Sequence, residues 1–244
     1  MWAANPPGPN VTASRRGAAW VLDGVKKYCS GARVCTNALV TAAAGDGPRL
    51  FAVTTAELEL EPHQGSWPAT GMAGSDTLDV GFPGIAAQPV GPPEAYTSRP
   101  GFSHGGAGVA ACWYGGARAV AQALLGAASK RDVGPHALAH LGAVDLGPRT
   151  VRAALRQAAG EIDADPGDRR GDGPLRALRA RALTEAVASD VLVRTGRALG
   201  AGPLSHDEAH SRAVADLTVY LRQHHAERDL ARLGELAAGQ GADW

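Results

Sequence analysis

The sequence predicts an α+β chain, with a small antiparallel β-barrel or sandwich domain over residues 1–100 and a C-terminal four-helix bundle over residues 101–244. Two observations predict it. Short apolar or alternating runs, bounded by Gly, Pro, Asp and Ser, fill the first hundred residues, whereas from Ser103 onward apolar residues recur at three- and four-residue spacing. A third observation divides them. The proline-rich stretch from Gly84 to Pro100 lies between the two patterns and reads as a linker.

Each β element has its own signal. Met1 to Arg16 is expected to be irregular after a short opening strand, because Pro6, Pro7, Gly8 and Pro9 interrupt it. Trp20-Val21-Leu22 and Val25 to Cys29 flank Asp23-Gly24, the chemistry of a two-residue hairpin turn, since both residues accept positive φ. The second run leads into Ser30-Gly31-Ala32. Three small residues there let a backbone approach a flat ligand and leave one hydroxyl to point at it. Two further strands, over 34–41 and 49–54, are separated by the turn residues Gly45-Asp46-Gly47-Pro48. Leu78, Val80 and Phe82 alternate with Asp79 and Gly81 as in a half-buried strand.

Four helices follow. The first is expected to start from an N-cap at Ser103 and run to Ser129, with Val109, Cys112, Trp113, Val120 and Leu124 inward. Its glycines, at 105, 106, 108, 115 and 116, lower helix propensity and fit a helix packed closely on a neighbour. The second spans 135–163, with an interruption or kink expected at Gly147-Pro148. The third begins at Pro174 and buries Leu175, Leu178, Leu183, Val187 and Val191, leaving Arg176, Arg179, Glu185 and Arg194 outside. The last spans 207–236. Its stripe of Val214, Leu217 and Leu221 is continued by His224 and His225, so at least one imidazole should face inward.

Composition excludes several classes. Lys+Arg and Asp+Glu both count 24, so no basic surface calls for nucleic acid or acidic lipid. Cys29, Cys35 and Cys112 lack metal spacing and read as buried thiols in a reducing compartment. No apolar run approaches the roughly 20 residues of a membrane span, and the N-terminus carries no signal pattern. The expectation is a soluble cytoplasmic protein. His136 and His140 stand at i, i+4 without a third ligand, so no metal is expected. Neither a dinucleotide fingerprint nor a P-loop is present.

Two ordered sets of residues carry a family resemblance. Trp20, Gly24, Lys26, Tyr28 and Ser30 are followed by Trp67, Gly71-Met72, Ser75 and Val80-Gly81-Phe82, and both sets resemble the middle domain of the acyl-CoA dehydrogenase flavoproteins. The resemblance implies FAD. It sets Tyr28, Cys29 and Ser30 against the isoalloxazine ring, Ser30 near flavin N5 as a hydrogen-bond donor. It also implies that Arg131 reaches the FAD pyrophosphate of a neighbouring subunit, hence a homodimer or tetramer. The N-terminal helical domain of the family has no counterpart in this sequence, so either a partner chain supplies it, or the sequence is a fragment, or the protein works without it. The family's catalytic glutamate falls at or next to His224, making His224 the candidate for proton transfer. The implied activity is an FAD oxidoreductase acting on an acyl-CoA-like thioester. One alternative is a flavin-dependent monooxygenase, which on the same scaffold keeps a histidine in this region; another is a non-catalytic homologue serving as a partner subunit.

Overall fold

The computed structural model describes residues 1–8, 10–55 and 61–240. They form two compact units, Met1–Arg99 and Pro100–Trp244.

The first unit is built from six strands: β1 (Thr12–Arg16), β2 (Ala19–Cys29), β3 (Asn37–Ala44), β4 (Gly47–Thr54), β5 (Glu61–His63) and β6 (Leu78–Val90). Their order is β2-β1-β3-β4-β6-β5, and β2 also pairs with β6, so five strands close into a barrel with β5 on the outside of β6. All pairs are antiparallel except one. β1 meets β3 in parallel at Thr12↔Ala43. Alternation along the strands sends Leu22, Val40, Phe51, Val53, Val80 and Phe82 inward, where with Trp2 they make the barrel core. Trp2 is bound to β3 on both sides, its N–H to the Leu39 carbonyl at 2.7 Å and its carbonyl to the Thr41 N–H at 3.1 Å.

Three expectations for this unit are corrected. Asp23-Gly24 is not a hairpin turn: β2 runs straight through it, and the hairpin is one turn earlier, at Gly17-Ala18, where Arg16 pairs with Ala19. Gly24 instead pairs in register with Phe82 of β6, with φ of 119° and a backbone so close to Asn10 that an added Cβ would lie 2.9 Å from its carbonyl oxygen; the register shift falls just before it, between Leu22 and Asp23, where Gly84 of β6 is the extra residue. Residues 84–90 are not linker but the second half of β6. Its prolines are tolerated because Pro83 sits at that shift and Pro89 near the strand's end, where ladder hydrogen bonds are dispensable. The third strand begins at Asn37, Val34 lying 75% exposed in a turn.

A short helix, α1 (Ala95–Ser98), closes the first unit. The second unit holds α2 (Pro100–Lys130), α3 (Gly134–Ala164), α4 (Gly173–Leu199), α5 (Gly202–His206), α6 (Glu208–Tyr220) and α7 (Glu227–Gln240). α2, α3, α4 and the α6–α7 pair make the four-helix bundle around Trp113, Val120, Leu124, Val144, Val191, Leu217 and Leu221. α2 starts at Pro100, so Ser103 lies inside it rather than capping it. Two of its glycines admit close neighbours. A Cβ on Gly106 would lie 3.2 Å from Ala177 of α4, and one on Gly116 3.0 Å from Leu217 of α6; Gly105, Gly108 and Gly115 face open space. α3 continues unbroken through Gly147-Pro148, where Gly147 admits Val187 of α4.

The last predicted helix is two. α6 ends at Tyr220, a 3-10 turn carries Leu221 to Gln223, and His224 is extended, with φ −82° and ψ 128°. Of the cysteines, Cys29 alone is buried; Cys35 and Cys112 are exposed. No helix among the described residues is long and apolar enough to cross a membrane.

Candidate functional site

The barrel's candidate site grows from an irregularity in β2. Between Lys26 and Cys29 the register against β6 shifts, and Tyr28 takes a left-handed φ of 62° that a bulky side chain rarely adopts. The kink turns the Tyr28 ring outward, 51% exposed, edge-on to Trp67 with centroids 6.3 Å apart. Asp79 Oδ1 accepts the Tyr28 N–H at 3.3 Å, and Trp67 Nε1–H donates to the Gly71 carbonyl at 3.2 Å. The result is an aromatic corner on the barrel surface.

The neighbouring residues turn inward. Cys29 is fully buried, its Sγ donating to the Lys26 carbonyl at 3.3 Å, and burial pushes the thiol up to about 12. It stays a neutral thiol and has no side-chain access to a ligand. Lys26 is also fully buried. Its ammonium donates to Asn5 Oδ1 at 2.7 Å, the Thr41 carbonyl at 2.7 Å and Thr41 Oγ1 at 2.8 Å, and burial brings its pKa down to about 8. This lysine ties the N-terminal strap and β3 to β2.

Ser30-Gly31-Ala32 then forms a turn fastened to residues 72–77. Gly31 N–H donates to the Ser75 carbonyl at 2.9 Å and Ala32 N–H to that of Asp76 at 3.1 Å. Arg33 clamps Asp76 through its Nε at 2.6 Å, which holds the carboxyl below its ordinary value. Trp2 Nε1–H fixes the Ser30 carbonyl at 2.9 Å.

The hydroxyls on this turn form a ladder whose direction is set by counting protons. Ser75 Oγ donates its one proton to the Met72 carbonyl at 2.6 Å, and a carbonyl can only accept. The 2.7 Å contact between Ser75 and Thr77 must therefore use the Thr77 proton, and the 2.8 Å contact between Thr77 and Ser30 must use that of Ser30. Ser30 Oγ is left with lone pairs and no proton to offer. With all three contacts made at once, the Ser30 proton goes to Thr77 and not outward, where the sequence expectation put it. Ser75 belongs to the residues that carry the resemblance and Thr77 does not, and only the spatial convergence of both on Ser30 reveals the ladder.

The bundle has a second candidate at the break after α6. His224 is buried, though through the helix break and not by continuing the α6 stripe; His225 is the exposed one and contacts Asp229 at 3.4 Å. His224 Nδ1 accepts the Ala226 N–H at 3.2 Å, so in the neutral ring the proton sits on Nε2. That Nε2 is buried without a partner among the described residues. Burial holds the imidazole below its ordinary pKa, so it is neutral at pH 7 and presents one N–H donor.

The break itself is held by Arg181 of α4, which sequence reading passed over. Arg181 Nη2 donates to the Gln223 carbonyl at 2.5 Å, and its guanidinium stacks 4.5 Å from the centre of the Trp113 ring. It has no carboxylate within ion-pair distance among the described residues, and burial lowers its pKa. Tyr220 also meets Trp113, edge-on at 6.1 Å. Arg131 stands apart from this group. It is exposed just past the C-terminal end of α2, eighteen residues and roughly 27 Å along the helix from Trp113. Tyr28, Cys29 and Ser30 belong to one unit, and Arg131 and His224 to separate parts of the other. Among the described residues no group of three or more His, Cys, Asp and Glu could hold a metal ion.

Comparison with known proteins sets this geometry in a fold family. No family model and no curated protein sequence matches the chain. Solved structures do. A putative acyl-CoA dehydrogenase from Mycobacterium smegmatis superposes with a TM-score of 0.81 at 16% identity, over 96% of this chain and 64% of that one. KijD3, in complex with FMN and a dTDP-linked amino-keto sugar, gives 0.80 at 20% identity, over 99% and 65%. The dibenzothiophene monooxygenase TdsC from Paenibacillus sp. A11-2 gives 0.75 at 18% identity, over 92% and 66%. The fold is that of the acyl-CoA dehydrogenases and related flavoproteins, and the chain spans about two thirds of the length of these structures.

Proposed function

We propose that the chain supplies the flavin-binding barrel and the helical bundle of a flavin-dependent oxidoreductase, and that it uses reduced flavin and oxygen as a monooxygenase. Support for a flavin comes from the residues themselves. An exposed aromatic corner of Tyr28 and Trp67 stands beside a turn of small residues with one free acceptor oxygen, a surface suited to a flat heteroaromatic ring with N–H groups on its edge. When bound, the flavin would supply the two-electron chemistry. We take the cofactor to be FAD, with Arg131 offered to the pyrophosphate of an FAD held by a neighbouring copy.

The observation that carries the choice of reaction is the direction of the hydroxyl ladder. Oxidised flavin presents N5 as an acceptor and reduced flavin presents an N–H there. Ser30 Oγ, its proton committed to Thr77, suits the reduced form. His224 points the same way. An acyl-CoA dehydrogenase needs a base with a free lone pair, yet Nδ1 is engaged by a backbone N–H and Nε2 already carries its proton. A neutral N–H donor is fitted to stabilise an oxyanion by a hydrogen bond.

The second reading, a dehydrogenase of acyl thioesters, is supported by the fold and by the resemblance around Trp20 to Ser30. Two assays on the full chain separate them. The monooxygenase reading expects oxygen uptake with reduced flavin supplied, and no anaerobic dye reduction by acyl-CoA thioesters. Dye reduction that survives rigorous exclusion of oxygen would replace it with the dehydrogenase.

A further inference from the structure

A cavity of about 550 Å³ between the C-terminal half of α3 and the first turns of α4 is not used by the flavin reading. Its lining includes Gln157 and Glu161 of α3, Arg170 and Asp172 of the connecting loop, and Arg176 and Arg179 of α4. Arg176, expected from sequence to lie outside, has a side chain only 9% exposed. Its Nε donates to Glu161 Oε2 at 2.8 Å, while Gln157 Nε2 donates to Glu161 Oε1 at 2.9 Å. Arg176, and after it Gln157, holds the Glu161 carboxyl below its ordinary value. Glu161 is thus a clamp, both oxygens engaged, that fixes one edge of the guanidinium. On the other edge Nη1 is buried and has no acceptor among the described residues.

A buried guanidinium nitrogen without an acceptor is uncommon, because the group loses its water and gains nothing in exchange. Arg179, one turn further along α4, makes no hydrogen bond or ion pair among the described residues, and Arg170 is 4.0 Å from its nearest carboxylate, Asp165. The start of α4 adds nothing, since Asp168 Oδ1 already takes the Gly173 N–H at 2.8 Å. The attraction lies in side chains whose planar forks match the oxygens of a phosphate. The volume exceeds that of a single small ion and suits two linked phosphates.

We propose that this cavity is an anion subsite for the phosphate or diphosphate of a phosphorylated ligand, with Arg176 and Arg179 as its contacts. The site stands on the cavity alone; that its ligand is the carrier end of the enzyme's own substrate rests on the oxidoreductase reading above.

Isothermal titration of inorganic pyrophosphate into the full chain, without added flavin, tests it. One saturable site is expected, weakening as salt is raised. Arg176→Gln should weaken binding by roughly tenfold and Arg179→Ala severalfold, as loss of charge-assisted contacts does. Arg194→Ala, on the same helix but paired with Asp190 and outside the cavity, should bind as the unchanged chain does. Should Arg176→Gln fail to fold, Arg179→Ala carries the test. Competition with CoA, ADP and inorganic phosphate then distinguishes a nucleotide diphosphate from a lone phosphate. No saturable binding into the millimolar range, or equal binding by the unchanged chain and both cavity variants, overturns the proposal. A chain that binds pyrophosphate but no flavin keeps this site and loses the oxidoreductase reading; flavin binding without pyrophosphate does the reverse.

Discussion

Lys26 shows how much a single side chain settles in the barrel. Its ammonium meets three neutral acceptors on two other segments, so Lys26→Met takes the lysine donor from both Thr41 oxygens and leaves Asn5 Oδ1 only the Thr41 hydroxyl at 3.4 Å, and should lower stability by about 1–3 kcal/mol in urea unfolding. The pH response has a definite sign. With a folded pKa of about 8 against 10.5, the unfolded chain holds a proton at Lys26 that the folded chain has lost, so stability rises above pH 8. Cys29 works oppositely, because the unfolded thiol ionises near 9.0 and the folded one only near 12. Thermal midpoints should climb from pH 8 to about 9 and then level, and in Cys29→Ala the climb should continue toward 10.5. In the bundle, the depressed pKa of His224 means that stability is lost as pH falls below 6.5, where the unfolded imidazole takes up a proton first. His224→Gln keeps an N–H donor and should retain oxygen-dependent turnover within about tenfold, whereas His224→Phe should lose it. Equal loss in both variants would return His224 to the role of a base.

At the level of elements, glycine is where sequence and structure part. Asp23-Gly24 carries hairpin chemistry, but the positive φ that Gly24 takes is used inside a strand, where the nearby Asn10 carbonyl leaves no room for a side chain. In α2, position decides among glycines that look alike in sequence. Gly116→Val should cost about 1–3 kcal/mol by forcing Leu217 aside, while Gly115→Ala, facing open space, should gain up to about 1 kcal/mol. Urea midpoints of the two variants check this, and a fall in both would contradict it. The helices were legible in outline because their apolar spacing persists over many residues. The break at His224 was not: Arg181 holds it from another helix, by a contact to the Gln223 carbonyl that no local pattern records. The same holds for the barrel site. Tyr28 and Ser30 could be picked out from the motif they share with a known family, but the direction of the Ser30 hydroxyl depends on Thr77, Ser75 and a carbonyl more than forty residues away.

For the molecule as a whole, the fold is shared by proteins described as acyl-CoA dehydrogenases and as a monooxygenase, so the decision falls to its own polar groups. On the reading proposed above, the barrel offers a flavin an accepting oxygen at Ser30. The most direct test is to measure the affinity of the full chain for oxidised and for reduced flavin, by absorbance and fluorescence titration with and without oxygen, in the unchanged chain and in Ser30→Ala. One hydrogen bond contributes about 0.5–1.5 kcal/mol, so reduced flavin should bind roughly two- to tenfold more tightly, and Ser30→Ala should erase the difference. Tighter binding of the oxidised form, a preference that survives in Ser30→Ala, or no flavin binding at all would contradict the account.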